Sequence, residues 1–160
     1  MKQQIQFCDQ ALVDLAFMFH SCKEDPTPWN DRLNASLLDF SVHSLDCVNV
    51  YLDAARKEKQ VQDVWNIICL RAGAYLGEVI RRNGRADCWH WLDYENACKV
   101  SPDFAKYPKG ISTCAVLHHG RGGLCFPLGK IAKYLENGSE DNARFFAEVI
   151  IAKWKEAYPA

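Results

Sequence analysis

Four polar side chains in the middle of the chain are spaced so that they could do acid–base chemistry. They are Arg71, Tyr75, Glu78 and Arg82, at i, i+4, i+7 and i+11, which a helix would align in one stripe. Glu78 could accept hydrogen bonds from Arg82 or Arg71, either as a general base held by arginines or as one step of an ordinary ion-pair ladder. The ladder is the commoner arrangement, and the spacing alone allows both.

A second candidate lies between Cys114 and Cys125, which flank His118, His119 and a glycine-rich loop. Either thiol could act as a nucleophile with a histidine as its base, although no short catalytic signature surrounds either one. A Cys/His metal site is not expected, because on a strand the Cys-x3-His spacing separates the two side chains by about 13 Å. We predict a flexible turn here, with no metal site and no cofactor.

Acidic residues recur on one side of a helix that the pattern predicts over about 36–55. Asp39, His43, Asp46 and Asp53 fall at i, i+4, i+7 and i+14, and residues 31–53 contain four Asp and one Arg. Such a row can be merely solvated, or it can steer the chain towards a basic partner. Trp29, which follows a proline in a connector, is either an aromatic anchor for that partner or a core residue.

The helices that position these residues follow from hydrophobic periodicity. Apolar residues at helical spacing predict helices over about 3–23, 36–55 and 61–83, and Ser36 with Asp39 resembles a capping box at the start of the second. The third is apolar over most of its circumference and is therefore predicted to be central. Its two glycines, Gly73 and Gly77, predict a neighbour packed closely against its backbone.

Period-two patterns predict short strands over about 88–93 and 111–117. Two further helices are predicted, one from Pro127 to Asn137 and one capped by Ser139. The predicted fold is therefore mainly helical α+β, with about five helices and a small antiparallel β-sheet inserted after the third. We expect a single domain over residues 1–160.

The composition excludes some functions and suggests a cellular compartment. The 160 residues include 19 Lys+Arg and 20 Asp+Glu, a net charge of −1, which argues against holding a nucleic-acid backbone or an anionic membrane. With 49% hydrophobic residues, the composition is that of a folded globular protein. The eight cysteines include no CxxC or CxC pair, and no apolar signal segment opens the sequence, so we expect reduced thiols in a cytoplasmic protein.

Several segments together resemble a known kind of protein. Residues 72–82, which contain Tyr75-Leu76-Gly77-Glu78, are followed by a Trp-bearing segment at 89–93, by Phe126-Pro127 and by Lys133-Tyr134-Leu135-Glu136-Asn137-Gly138. Over roughly residues 36–150 this pattern resembles small uncharacterised bacterial proteins with an aromatic-Leu-Gly-Glu helix. Some of these are immunity proteins, which bind and neutralise a toxin in the cytoplasm of the cell that produces it. The resemblance implies the same function here.

We therefore expect a non-catalytic protein-binding module, namely an immunity protein whose partner is a toxin with a basic surface. The acidic row and Trp29 are the predicted contact residues. The alternative is a small hydrolase or transferase that uses Glu78 with its arginines or a Cys/His pair, in a pocket of Arg71, Tyr75, Glu78, Arg82, His118 and His119. A homodimer closed by an exposed apolar surface is a third arrangement that the sequence leaves open.

Overall fold

The computed structural model describes residues 4–159. Within them the chain forms six α-helices and a three-stranded antiparallel sheet, so the predicted mainly helical α+β class is confirmed. In chain order the elements are α1 (Asp9–Ser21), α2 (Leu45–Ala55), α3 (Trp65–Asn83), β1 (Trp89–Asp93), α4 (Tyr94–Val100), β2 (Ala115–His119), β3 (Leu124–Cys125), α5 (Pro127–Asn137) and α6 (Ala143–Ala157). None of the helices in this part of the chain combines the length and the apolar character needed to cross a lipid bilayer.

α3 is the central helix, as its apolar circumference predicts. Every residue from 71 to 80 is buried, and the helix packs against both α1 and α5. The two glycines make this packing close. A Cβ at Gly73 would lie 2.7 Å from the backbone of Leu128 in α5, and a Cβ at Gly77 would overlap the ring of Trp91 in β1. The predicted close approach at both glycines is confirmed.

The sheet has the order β1-β2-β3, and both pairs of strands are antiparallel. Its inner face carries Trp91 and Leu117, which belong to the core around α3. Its outer face carries Leu92 and Val116, which form a second apolar cluster with α4 and with a 3₁₀ turn at Pro102–Lys106. The sheet therefore separates two apolar layers of unequal size.

The second strand is shifted from its predicted position, and one further strand and one helix are not predicted. β1 lies where it is predicted, but the second strand runs over Ala115–His119 rather than 111–117. The amides of Thr113 and Cys114 both donate to the Gly110 carbonyl, which makes residues 110–114 a turn. α4 and the two-residue strand β3 are not predicted, because both are too short to show a periodic pattern.

α1 is shorter than the predicted helix over 3–23, of which residue 3 lies outside the described part. It begins at Asp9, whose carboxylate accepts a hydrogen bond from the Trp91 amide (2.6 Å). The Cys8 amide in turn donates to the Trp91 carbonyl (3.0 Å). The chain before α1 is thus held along the edge strand β1, and this tertiary contact overrides the helical pattern.

α2 begins at Leu45, well after the predicted start at Ser36. The Ser36 hydroxyl donates to a neighbouring side chain and caps no helix, so the predicted capping box is wrong. Phe40 has a φ of 60°, a left-handed conformation that interrupts a helix, and its amide donates to a buried tyrosine hydroxyl of α3 (3.0 Å). Asp39 and His43 therefore precede α2 instead of lying on it.

α5 has its predicted bounds at both ends, and Gly138, which follows it, has a φ of 86°. α6 begins later than the predicted cap Ser139, because residues 139–141 form a 3₁₀ turn. The cap of α6 is Asn142, whose side-chain oxygen accepts a hydrogen bond from the Phe145 amide (2.9 Å).

Candidate functional site

Glu78 lies on α3 with its side chain fully buried. Its carboxylate accepts hydrogen bonds from the Trp91 indole N–H (3.0 Å) and from Arg82 Nε (3.4 Å), and the Arg81 guanidinium lies 3.6 Å away. The Trp91 ring rests on the backbone of the preceding residue, Gly77. Because it has no exposed surface and donors engage both of its oxygens, this carboxylate holds β1 against α3.

The other members of the predicted stripe also hold the fold together. Arg71, which is 4% exposed, donates to the Asp25 backbone carbonyl (2.8 Å) and pairs with the Asp25 carboxylate (2.5 Å). The Tyr75 hydroxyl lies 2.7 Å from the Ser44 hydroxyl. Arg71 therefore bonds to Asp25 and not to Glu78, although the spacing on α3 would also allow the bond to Glu78. The stripe extends towards three different segments and does not converge on one cavity.

His119 is packed inside the fold at the end of β2. It is 4% exposed and its ring stacks on Trp154 of α6 and on Tyr158, with centroids 4.2 Å and 5.4 Å away. Its Nδ1 accepts a hydrogen bond from the Arg121 amide (3.2 Å), and burial, together with the Arg121 charge, lowers its pKa. A Cβ at Gly123 would overlap the same tryptophan ring. The predicted turn is present, and it is packed against α6.

His118 and the two flanking cysteines lie in different environments. His118 pairs with His90 on the outer face of the sheet, whereas Cys125 pairs with Leu117 on the inner face. The Cys114 thiol donates to a backbone carbonyl in the preceding turn (3.5 Å). Burial raises the pKa of both thiols, which favours the less nucleophilic protonated form. Among residues 4–159, no three His, Cys, Asp or Glu side chains gather where they could hold a metal ion.

The clearest candidate site consists of large apolar side chains that stand in solvent on α2, on α6 and in the 3₁₀ turn before α2. Val50 on α2 and Phe145 on α6 are each 67% exposed, Leu37 is 54% exposed, and Val149, one turn along α6, is 45% exposed. Leu37, Val50 and Asp46 border a depression of about 270 Å³. The exposed part of these side chains does not contribute to folding, but a partner that covered it would gain its burial. We call Leu37, Asp46, Val50, Phe145 and Val149 the binding face.

Two polar contacts fix α2 and α6 to one another at the binding face. The Asp46 carboxylate pairs with the Arg144 guanidinium (2.6 Å). The side-chain oxygen of Asn49 accepts a hydrogen bond from the Ala143 amide in the first turn of α6 (3.0 Å). The exposed Val50 directly follows Asn49 in the chain, and the exposed Phe145 directly follows Arg144. Two joined helices therefore carry the apolar side chains.

Carboxylates dominate the charge around the binding face. Asp39, two residues after Leu37, is exposed, and hydrogen bonds from Ser41 lower the pKa of its carboxyl, so it is charged at neutral pH. Both arginines here, Arg32 and Arg144, already pair with carboxylates, Arg144 with two of them. The ion pairs of these two arginines with Asp46, Glu58 and Glu148 leave one negative charge, and Asp39 adds a second.

The structure separates the predicted contact residues. Asp46 lines the depression, while Asp39 and His43 are exposed in the turns before α2. Asp53 is half-buried further along α2, and Trp29 is half-buried against the core. The prediction that Asp39, His43, Asp46 and Asp53 line one side of a single helix is wrong, because that helix starts only at Leu45. Asp46 is the member of the predicted row that lies within the binding face.

The apolar part of the binding face is not among the residues that the sequence predicts as contacts. Phe145 and Val149 lie four residues apart on α6, on the side opposite the buried Ala147 and Ile151. A large apolar pair on the polar side of an amphipathic helix is the signal that could have found them.

Comparison with models of known protein families, with curated proteins and with solved structures finds no match. The resemblance to immunity proteins therefore stays a prediction drawn from short motifs.

Proposed function

We propose that the chain is a protein-binding module that uses the binding face to hold a partner with a basic surface. The observation that carries this proposal is the exposure of Val50 and Phe145, 67% each, on two helices that a salt bridge joins. Aromatic side chains are enriched in protein interfaces and supply much of the binding free energy as buried anchors. A side chain of the partner would fill the depression beside Val50.

The charge of the binding face supports a basic partner. The Asp46 side chain keeps 56% of its surface exposed while it pairs with Arg144, so a second cation can approach it. Asp39, which follows Leu37 by two positions in the chain, is charged and exposed. Opposite charges on the partner would speed association and make it depend on salt concentration.

The partner class that the resemblance favours is a bacterial toxin, with this chain as its immunity protein in the cytoplasm. Such a protein acts by covering a surface and needs no catalytic group of its own. The buried state of Glu78 and of the Cys125 thiol agrees with this function. A basic surface is what a toxin that acts on nucleic acid would need in order to hold phosphates.

The test is a binding titration with a partner first isolated from the native host by crosslinking. Phe145→Lys should weaken the complex by about thirtyfold or more, the effect of removing a hot-spot side chain. Ile67→Lys is the matched control, because Ile67 is 40% exposed on α3 and lies outside the face. Asp39→Lys should slow association, more at low salt than at high salt.

Different outcomes separate the parts of the proposal. Equal effects of Phe145→Lys and Ile67→Lys would show that the partner binds elsewhere. If the wild-type chain forms a homodimer that Phe145→Lys dissociates, the face closes a dimer and the proposal fails. A partner that does not arrest growth when a bacterium produces it alone would contradict the toxin assignment but leave protein binding standing.

A further inference from the structure

A larger cleft lies between α5, α6 and the segment at 107–113. Its volume is about 540 Å³, which is within the range of small-molecule sites in proteins. Its lining includes three small residues, Cys125, Gly129 and Ala132, all of them buried. Because these side chains are short, they leave open the space between α5, α6 and the segment at 107–113.

Aromatic side chains line much of the rest of the cleft. Tyr107 and Phe126 lie on one side, with ring centroids 5.6 Å apart, and Phe146 of α6 also lines the space. Ile150, one turn further along α6, extends the apolar surface. Flat rings pack well against such surfaces in offset or edge-to-face arrangements.

Two polar groups at the cleft are available to a ligand. Ser112 lies against Gly129, with its hydroxyl oxygen 3.5 Å from where a glycine Cβ would be, and this hydroxyl makes no hydrogen bond within residues 4–159. Lys133, one turn after Gly129, is exposed and forms no ion pair within the same residues. Lys130 is not available in this way, because its side chain is only 16% exposed and its ammonium group pairs with Asp141 (2.6 Å).

The charges along the cleft that are not paired, one ammonium and one carboxylate, suit a ligand with no more than one negative charge. Lys133 offers one ammonium group, and Glu136, one turn beyond it on α5, places a carboxylate at the same cleft. A dianion that reached Lys133 would meet repulsion from Glu136, whereas a monoanion can keep its apolar body on that side.

We propose that this cleft binds a small aromatic monocarboxylate. Its ring lies between the walls formed by Phe126 and Phe146, and its carboxylate accepts hydrogen bonds from Lys133 and Ser112. The cleft is lined by Phe146 and Ile150 of α6, whereas the binding face uses their neighbours Phe145 and Val149. The two sites use different side chains of α6, so substitutions can test each by itself, and ligand binding here does not rest on the protein partner.

The test is calorimetric titration with 2-naphthoate and with 2-naphthalenemethanol, which has the same rings and no charge. We expect 2-naphthoate to bind with a Kd of about 1 mM or lower, as the size of the probe allows. The neutral alcohol should bind more weakly. Octanoate, which has the charge without the ring, should also bind more weakly than 2-naphthoate.

Substitutions locate the site. Lys133→Gln should weaken 2-naphthoate by about two- to fivefold, the contribution of an exposed ion pair, and should leave the alcohol unchanged. Lys153→Gln, an exposed lysine of α6 outside the cleft, is the control and should change neither. Ala132→Leu should weaken the binding of both probes, because the larger side chain would fill space in the cleft that the small Ala132 leaves open. If that variant does not fold, the site is located in the wild-type chain instead. There, 2-naphthoate should change the amide chemical shifts of Gly129 and Phe146.

Three results would overturn the proposal. They are no binding of 2-naphthoate at millimolar concentration, equal affinities for the acid and the alcohol, and equal effects of Lys133→Gln and Lys153→Gln.

Discussion

Replacing Gly77 by alanine should strongly destabilise the fold, although alanine is the better helix former. The added Cβ would overlap the six-membered part of the Trp91 indole, whose Cζ2 and Cη2 atoms lie closest to Gly77. Trp91 is fully buried in β1, so its ring cannot swing out into solvent. Any shift of the ring also disturbs its hydrogen bond to the buried Glu78 carboxylate (3.0 Å).

Three contributions set the size of this effect. Overpacking a filled core costs about 1–3 kcal/mol. Losing a hydrogen bond to a charged group costs about 1.5–3 kcal/mol. The higher helix propensity of alanine stabilises by up to about 1 kcal/mol. We therefore expect the free energy of unfolding to fall by about 2–5 kcal/mol, which lowers the Tm by about 4–20 °C in a chain of this length.

The measurement is urea unfolding followed by far-UV circular dichroism. Gly110→Ala is the matched control, because a Cβ there meets nothing within 4 Å, and its free energy of unfolding should stay within about 0.5 kcal/mol of the wild type. The decisive comparison is made in a Trp91→Phe background, where the outer ring atoms are missing. If Gly77→Ala destabilises that background as much as the wild type, contact with the ring is not the cause and our reasoning is refuted.

Three further predictions concern the cysteines, a helix cap and a buried histidine. Thiol titration of the protein denatured without reductant should find all eight cysteines reduced, and fewer than six free thiols would contradict a cytoplasmic location. Asn142→Ala should destabilise the fold by about 1 kcal/mol in urea, since it removes the cap of α6, whereas Ser139→Ala should change little. Burial lowers the pKa of His119 below 6.5, so the unfolded chain binds a proton more readily than the folded chain, and stability should fall as the pH drops below about 6.5. His119→Phe keeps the stack on Trp154 and should make that fall shallower, while an unchanged slope would assign it to other groups.

The parts of the fold that the sequence predicts are those fixed by local signals. α3 is recognisable because apolar residues cover most of its circumference, and the structure buries residues 71–80 without a break. α5 is recognisable because Pro127 can open a helix and Gly138 supplies a positive φ after it. Gly77 is also a local signal. A glycine inside a helix is less stable than an alanine, so its presence indicates a neighbour packed closely against the backbone.

The parts that the sequence does not predict depend on contacts between distant residues. α2 starts late because Phe40 adopts a left-handed conformation and bonds to Tyr75 of α3, 35 positions away. The binding face joins α2 to α6 through Asp46 and Arg144, which are 98 positions apart. The periodicity of one helix shows which of its sides is apolar. It does not show which other helix packs next to its polar side.

The aromatic-Leu-Gly-Glu motif is explained by its contacts within the fold. The Tyr75 hydroxyl holds the segment before α2, Gly77 accommodates the Trp91 ring, and Glu78 accepts the hydrogen bond of its indole. All of these contacts lie inside the fold of this chain, where they hold α3 against β1 and against the segment before α2. The motif is therefore explained by packing, and the proposed binding function depends on positions outside it, such as Phe145. Gly77→Ala and Phe145→Lys test these two statements separately, because the first changes a buried contact and the second an exposed one.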